Sequence, residues 1–221
     1  MKKQLIILIG TGRSGSVSLS QFLSHQENVR VLHEGKIEEK KIRTLIKWNN
    51  DETALFKWLE YLNDFNNDNL FYGDTGMYYL PYIKTIIEKY PEVKVIGLRR
   101  KKEEVIQSFL KKTEGRNHWY NHDGKKWKFD EKWDNCFPKY NEENKSKALE
   151  NYYDEYNDTT IKLMNKFPQH VRLWEIEEFN TSKGKTEILN FIGYNLKRDI
   201  SKNYISNKNN FSIIKLLKKW I

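Results

Sequence analysis

At 221 residues, the chain is long enough to form one domain with a substantial hydrophobic core. Aromatic residues make up 14% of it, which excludes an intrinsically disordered protein, and the single cysteine, Cys136, excludes an internal disulfide. The formal net charge of +9 favours anionic partners, but the lysines are scattered, which is more typical of a solvated surface than of a nucleic-acid-binding face. We therefore expect no nucleic-acid partner. No stretch is long enough to span a membrane, and we expect a cytoplasmic protein.

The chain begins with the pattern of a buried strand, a glycine-rich turn and the start of a helix. Residues 5–9 are all apolar, residues 10–16 are Gly-Thr-Gly-Arg-Ser-Gly-Ser, and apolar side chains then recur at helical spacing. Glycines let the backbone approach a ligand closely, and the N–H groups at the start of a helix favour an anion. Arg13 adds a positive charge, and three serines add hydroxyl groups: Ser14, Ser16 and Ser18. This stretch therefore predicts a loop that binds a phosphate-like group.

Strands and helices alternate along the rest of the chain. Short apolar runs predict strands at residues 29–32, 70–72, 93–98 and 171–174, and amphipathic stripes predict helices at 55–65, 79–90, 105–110, 145–167 and 185–192. The alternation predicts an α/β fold, a single domain over residues 1–221 with a central parallel sheet flanked by helices. Residues 115–140 are rich in aromatic side chains and show neither the helical nor the strand periodicity of apolar residues. We therefore expect an insertion that forms a lid or a substrate wall.

Polar side chains follow several of the predicted strands where each strand ends. The glycine loop follows the first strand, His33 and Glu34 follow the second, Asp74 follows the third, and the basic residues 99–102 follow the fourth. Ligands of parallel sheets bind beyond the carboxyl ends of the strands. We therefore expect these side chains to converge on one site.

The glycine loop by itself fits more than one kind of site. Gly10, Gly12 and Gly15 match G-x-G-x-x-G, and Glu34 lies near the position of a ribose-binding acid, so an NAD(P)-binding oxidoreductase of the Rossmann type is one alternative. A nucleoside-triphosphate loop needs a lysine where Ser16 stands, which disfavours it. A basic module that binds nucleic acid through the aromatic residues of 115–140 is a second alternative.

Two motifs resemble those of the sulfotransferases that use 3′-phosphoadenosine 5′-phosphosulfate (PAPS). Residues 9–16 resemble the 5′-phosphosulfate loop of that family, and residues 95–100 with Ser108 match its second motif, a strand with an arginine followed eight residues later by a serine. Residues 115–119, 136–140 and 152–156 are similar to a bacterial branch of the family. The resemblance implies a P-loop-like sulfotransferase architecture, PAPS as co-substrate, 3′,5′-bisphosphoadenosine (PAP) as product, and no metal.

The resemblance also implies which residues bind PAPS. Arg100 and Ser108 would hold the 3′-phosphate, with Arg99 as the alternative to its neighbour. Lys202 and Lys208 in a late polar loop could close over this phosphate, although solvated surface positions are the stronger expectation. The 5′-phosphosulfate would be held by the glycine loop and the helix that follows it: Gly12, Arg13, Ser14, Gly15, Ser16, Val17 and Ser18.

The reaction implied is sulfuryl transfer to a hydroxyl or amine of an unidentified acceptor, which can be a small molecule, a glycan or a lipid. Arg13 is expected to stabilise the charge that develops on the bridging oxygen. Glu34 is the first candidate for the base that activates the acceptor and His33 the second, while Asp74 either orients the acceptor or stabilises a turn. Three further residues lack the pairing of metal ligands and predict packing or an acceptor wall: His118, His122 and Cys136.

Overall fold

The computed structural model describes residues 3–66 and 68–201. The strands in these residues are β1 (Gln4–Ile9), β2 (Val29–His33), β3 (Lys36–Ile37), β4 (Ile42–Arg43), β5 (Phe71–Thr75), β6 (Lys94–Arg99) and β7 (Val171–Glu175). They form one sheet in the order β4-β3-β2-β5-β1-β6-β7. The five strands from β2 to β7 in this order run parallel, and β3 and β4 extend the sheet antiparallel beyond β2. The carboxyl ends of the parallel strands therefore share one edge.

Helices cover both faces of the sheet. The helices are α1 (Ser16–Ser24), α2 (Glu52–Phe65), α3 (Ile83–Lys89), α4 (Lys102–Lys112), α5 (Lys145–Lys166), α6 (Ile176–Phe179) and α7 (Ser182–Phe191). Side chains alternate along β1, so that Leu5, Ile7 and Ile9 pack with α2, α3, α4 and α5, whereas Ile6 and Leu8 pack with α1 and α7. The prediction of an α/β fold with a central, largely parallel sheet between helices is confirmed.

Strand β5 is longer than the apolar run at residues 70–72 predicted. It continues through Gly73 and Asp74 to Thr75, and Asp74 is fully buried inside the sheet. A Cβ atom on Gly73 would lie 1.8 Å from the carbonyl oxygen of Ile6, so β5 packs against β1 here without a side chain between them. Glycine and aspartate are depleted in strands, which is why the sequence pattern indicated a turn.

Three smaller elements also differ from prediction. The charged residues 36–43 contain the short strands β3 and β4, in which Ile37 is the buried position. The helix expected at 79–90 begins as a 3-10 helix, Met77–Tyr82, and continues as α3, because Pro81 removes a backbone donor. Helix α6 has four residues, too few to show a periodic pattern.

Residues 115–140 are mostly irregular, with a 3-10 helix at Asp134–Cys136, and their inner side is part of the core. Trp119, Cys136 and Phe137 are buried, and the ring of Trp119 lies 5.0 Å from that of Phe109 in α4 and 5.8 Å from that of Tyr152 in α5. Lys202 and Lys208 lie outside the described residues. Within 3–66 and 68–201, every helix is too short or too polar to cross a membrane.

Candidate active site at the carboxyl edge of the sheet

The loop after β1 has a backbone conformation that depends on glycine. The φ angles of Gly12, Arg13 and Gly15 are +78°, +59° and +103°, all in the left-handed region. A Cβ atom on Gly12 would lie 2.9 Å from the ring of Phe109, so a side chain is also excluded by packing. Gly15 caps α1 without a side-chain acceptor, and the first turn of α1 holds no acidic residue. The start of this helix is therefore suited to an anion.

Two buried tyrosines of α5 hold the glycine loop in place. The hydroxyl of Tyr152 donates to the carbonyl oxygen of Thr11 at 2.7 Å. The hydroxyl of Tyr156 accepts from the N–H of Gly10 at 3.0 Å and donates to the carbonyl oxygen of Met77 at 3.1 Å. These bonds satisfy backbone groups that no strand or helix partner reaches, so α5 fixes the loop conformation.

Arg13 joins the glycine loop to α4. Its Nε donates to Ser108 Oγ at 2.8 Å, and Nη1 of Arg100 donates to the carbonyl oxygen of Arg13 at 3.4 Å. Burial and the neighbouring Arg100 lower the pKa of Arg13, because both disfavour its charge. Arg100 also pairs with Glu104 at 2.6 Å. The two regions predicted to bind the two ends of PAPS are thus in direct contact.

Arg99 and Arg100 have different partners although they are adjacent. Arg99 lies in β6 and forms two hydrogen bonds with the carboxylate of Glu175 at the end of β7. Arg100 follows the strand and lies against the glycine loop. The strand register explains the difference, since Arg99 is paired with Glu175 across β6 and β7 while Arg100 lies beyond the end of β6.

Among the serines of the loop, two have informative surroundings. The hydroxyl of Ser14 is buried and lacks a hydrogen-bond partner within the described part of the chain, although buried polar atoms nearly always have one. Ser16 Oγ lies 3.2 Å from Nε2 of His33 at the end of β2. Burial, Arg43 and Arg13 lower the pKa of His33 to about 4, so its ring is neutral at neutral pH.

Glu34 occupies a strained two-residue turn between β2 and β3. Its φ is +52° and that of Gly35 is +62°, and its N–H donates to the carbonyl oxygen of Thr75 at 2.7 Å. Its carboxylate lies 3.7 Å from Nδ1 of His33 and 4.0 Å from the guanidinium of Arg43. Burial raises the pKa of Glu34, against the opposing effect of Arg43 and other cations. A raised pKa makes this carboxylate a better proton acceptor.

The buried carboxylate of Asp74 stabilises the turn at Glu34 and Gly35. Its carboxylate accepts hydrogen bonds from the N–H of Gly35 at 3.0 Å, from the hydroxyl of Tyr79 at 2.7 Å and from Nε1 of Trp58 at 3.3 Å. Burial raises the pKa of Asp74 to about 6. Of the two roles expected for Asp74, these contacts favour stabilising the turn, because its bonds go to the protein itself.

Known proteins similar to this chain point to one enzyme family. Residues 5–198 match the sulfotransferase domain. The chain belongs to the sulfotransferase family. A solved structure of a sulfotransferase from Alicyclobacillus acidocaldarius is similar in fold, with a TM-score of 0.54 and 13% identity, over 92% of this chain and 87% of that chain. No curated protein matches.

Family membership confirms the prediction of a sulfotransferase. The alternatives of a dinucleotide-dependent oxidoreductase and of a nucleic-acid-binding module gain no support from these similarities. The structure of this sulfotransferase brings Arg13, Arg100 and Ser108 into contact, and it joins Ser16 to His33 and Glu34. Gly12, Ser14 and Gly15 lie in the loop, and Val17 and Ser18 in the first turn of α1.

Sequence reasoning did not single out several residues that contact the candidate site residues. Arg43 contacts Glu34 from a segment that looked merely charged, and no local pattern identifies it. Tyr152 and Tyr156 lie in a stretch that carries the family resemblance, but their contacts with the loop span more than 140 residues of chain.

The histidines of residues 115–140 are engaged with one aspartate. Nδ1 of His118 lies 2.6 Å from Asp134, and Nε2 of His122 lies 3.7 Å from the same carboxylate. The thiol of Cys136 contacts the carbonyl oxygen of Lys132 instead. Across the described residues, no three or more histidine, cysteine, aspartate or glutamate side chains meet in a metal-binding arrangement. These contacts favour packing as the role of His118 and Cys136.

Proposed function

We propose that this sulfotransferase transfers the sulfuryl group of PAPS to a hydroxyl or amine of an acceptor and releases PAP. The observation that carries the proposal is the 2.8 Å hydrogen bond from Arg13 to Ser108, with Arg100 against the same loop. PAPS has anionic groups at two positions, a 5′-phosphosulfate and a 3′-phosphate. Neighbouring cationic and hydroxyl groups on the glycine loop and on α4 suit such a ligand, whereas a dinucleotide pyrophosphate requires the glycine loop alone.

The residues of the loop also fit an anionic group. The start of α1 has no side-chain cap, and the Ser14 hydroxyl has no partner among the described residues, so together they form a cradle of donors. Gly12 and Gly15 give the loop its left-handed backbone. We assign the 5′-phosphosulfate to this cradle and the 3′-phosphate to Arg100 and Ser108.

PAPS supplies a sulfuryl group attached to a phosphate leaving group. The acceptor oxygen or nitrogen forms a bond to sulfur while the bond from sulfur to the bridging oxygen breaks, and the electron pair of that bond stays on the bridging oxygen. Arg13 stabilises this charge. The carboxylate of Glu34 takes the proton of the acceptor, and the neutral ring of His33 holds Ser16 beside the donor.

Calorimetric titration with PAP tests the donor site. Arg13→Gln, Arg100→Gln and Ser108→Ala should each weaken binding by about 10- to 150-fold, because a hydrogen bond to a charged group contributes about 1.5–3 kcal/mol. Arg99→Gln is the matched control and should leave the affinity unchanged, since Arg99 bonds to Glu175 on β7 whereas Arg100 bonds to the glycine loop. Binding of NAD in place of PAP would contradict the proposal.

A further inference from the structure

The carboxylate of Glu34 lies near four cations, of which Arg43 makes the direct contact. Arg43 lies 4.0 Å away across the β3–β4 hairpin, and Arg13 approaches from the glycine loop. Lys112 at the end of α4 and Lys132 are close enough for their charges to lower the pKa of Glu34. These residues come from four separate parts of the chain, so the fold and not a local run of basic residues assembles them.

Most of this positive charge has no counterion in the described residues. Arg13, Lys112 and Lys132 have no carboxylate within 4 Å there, and the carboxylate near Arg43 is that of Glu34 itself. Many other surface lysines are paired, such as those that contact Asp154, Glu143 and Glu60: Lys102, Lys126 and Lys89. Like charges that lack counterions attract a ligand of opposite charge.

The arginine of this group is held in a defined position. The guanidinium of Arg43 lies over the ring of Trp133, 5.8 Å from its centre, and the N–H of the next residue, Thr44, donates to the carbonyl oxygen of Gly35 at 2.9 Å. Trp133 and Lys132 both belong to the aromatic-rich segment 115–140. This segment therefore packs against Arg43, the arginine that contacts Glu34.

The PAPS site, as proposed above, uses the charge of Arg13. Arg43, Lys112 and Lys132 then remain as positive charges near Glu34, the residue proposed to take the proton of the acceptor. We propose that the acceptor carries, besides its reacting hydroxyl or amine, a carboxylate, phosphate or sulfate group, and that Arg43, Lys112 and Lys132 bind this group. The inference depends on the proposed function, because it assigns these residues to the acceptor of that reaction.

Matched acceptors that differ in one anionic group test the inference. Transfer from labelled PAPS is measured for 4-hydroxybenzoate against 4-hydroxybenzamide, and for glucose 6-phosphate against glucose. The first pair presents a carboxylate and the second a phosphate, so the two sources of charge are distinguished. We expect kcat/KM to be at least tenfold higher for an anionic member than for its neutral partner, and the preference should shrink in 0.5 M salt because the lysines are exposed.

Variants that each remove one positive charge test which residues bind the anionic group of the acceptor. Lys132→Gln and Lys112→Gln should lower kcat/KM severalfold for the anionic member, Arg43→Gln should lower it about tenfold, and the neutral member should be much less affected by the lysine changes. Lys125→Gln is the control, because this exposed lysine lies in the same segment and pairs with Asp123. PAP affinity, measured by calorimetry, should be unchanged in the lysine variants.

The two proposals fail in different ways. Equal or better transfer to the neutral members, or transfer to neither anionic member, overturns the anionic acceptor even when PAP binds normally. A wild-type protein that does not bind PAP overturns the proposed function instead. A charge preference that persists in Lys112→Gln, Lys132→Gln and Arg43→Gln alike also overturns the inference.

Discussion

Removing the hydroxyl of Tyr79 should destabilise the protein by an amount that depends on pH. Tyr79 is fully buried and its hydroxyl makes the shortest of the side-chain bonds to Asp74, at 2.7 Å. Tyr79→Phe leaves this buried carboxylate with the N–H of Gly35 and Nε1 of Trp58 as its nearest donors. The lost bond stabilises the charged form of Asp74 more than the neutral form, so the loss should be greater when Asp74 is ionised.

The magnitude follows from the pKa of Asp74. Burial raises this pKa from 3.8 to about 6, so the folded protein retains the proton longer than the unfolded chain. The resulting stability is fully present below pH 3.8 and is lost as the pH rises through about 6, and it amounts to about 3 kcal/mol. Tyr79→Phe raises the pKa further. We expect it to reduce the unfolding free energy by about 1 kcal/mol at pH 5 and by about 2–3 kcal/mol at pH 8.

Urea denaturation of both proteins at pH 5 and pH 8 measures this difference. The titration of His33 affects stability in the same range, but it is common to both proteins and cancels in the comparison. Tyr82→Phe is the matched control: the hydroxyl of Tyr82 donates to the carbonyl oxygen of Lys47 at 2.7 Å and bonds no carboxylate. Its effect should be the same at both pH values. A loss in Tyr79→Phe that is equally independent of pH would refute the assignment of the bond to an ionised Asp74.

Three further predictions concern the loop and the base. Gly12 and Gly193 have similar φ angles, +78° and +74°, but only an alanine at Gly12 would meet the ring of Phe109. In urea denaturation, Gly193→Ala should lose roughly 1 kcal/mol of unfolding free energy, and Gly12→Ala should lose clearly more. Equal losses would show that the loop adapts. Ser14→Ala removes a buried hydroxyl without a partner, so thermal unfolding should show a free protein that is unchanged or up to about 1 kcal/mol more stable, with a smaller gain on adding PAP; destabilisation of the free protein would count against this. Glu34→Gln should lower kcat/KM by about 10²–10⁴-fold and abolish its rise with pH as the carboxyl loses its proton, and a retained acidic limb in the pH profile would exclude Glu34 as the base.

The parts of the fold that the sequence predicted well are those with a strong local pattern. The apolar runs of β1 and β6 and the periodic stripe of α5 place these elements within two residues of their observed bounds. The strand predicted at residues 70–72 is shorter than β5 because glycine and aspartate, here Gly73 and Asp74, are unfavourable in strands. The close contact of Gly73 with β1 overrides this preference. The hairpin of β3 and β4 depends in the same way on β2 beside it.

The candidate site likewise contains residues that the sequence could suggest and residues that depend on contacts between distant parts of the chain. Arg13, Ser108 and Glu34 could be proposed from the sequence because their spacing from the predicted strands resembles a pattern of one family. The proposal of Arg100 over Arg99 rests on the pairing of Arg99 with Glu175 on the next strand, and no spacing within the motif encodes that contact. Arg43 was missed for the same reason, since its contact with Glu34 exists only after the hairpin has formed.

The turn at Glu34 combines a strained backbone with a buried carboxylate beneath it, that of Asp74. A two-residue hairpin with both φ angles positive prefers Asn-Gly or Asp-Gly, so a glutamate there is strained by about 1 kcal/mol. The carboxylate of Asp74, itself buried at the expense of its charge, holds the N–H of Gly35, and the carbonyl oxygen of Thr75 holds that of Glu34. Strain of this kind persists where the surroundings fix it, and it concentrates at functional sites. The side chain of glutamate places a carboxylate near Arg43 and Arg13, and the proposed role of Glu34 as the base would account for a residue that does not fold best in this turn.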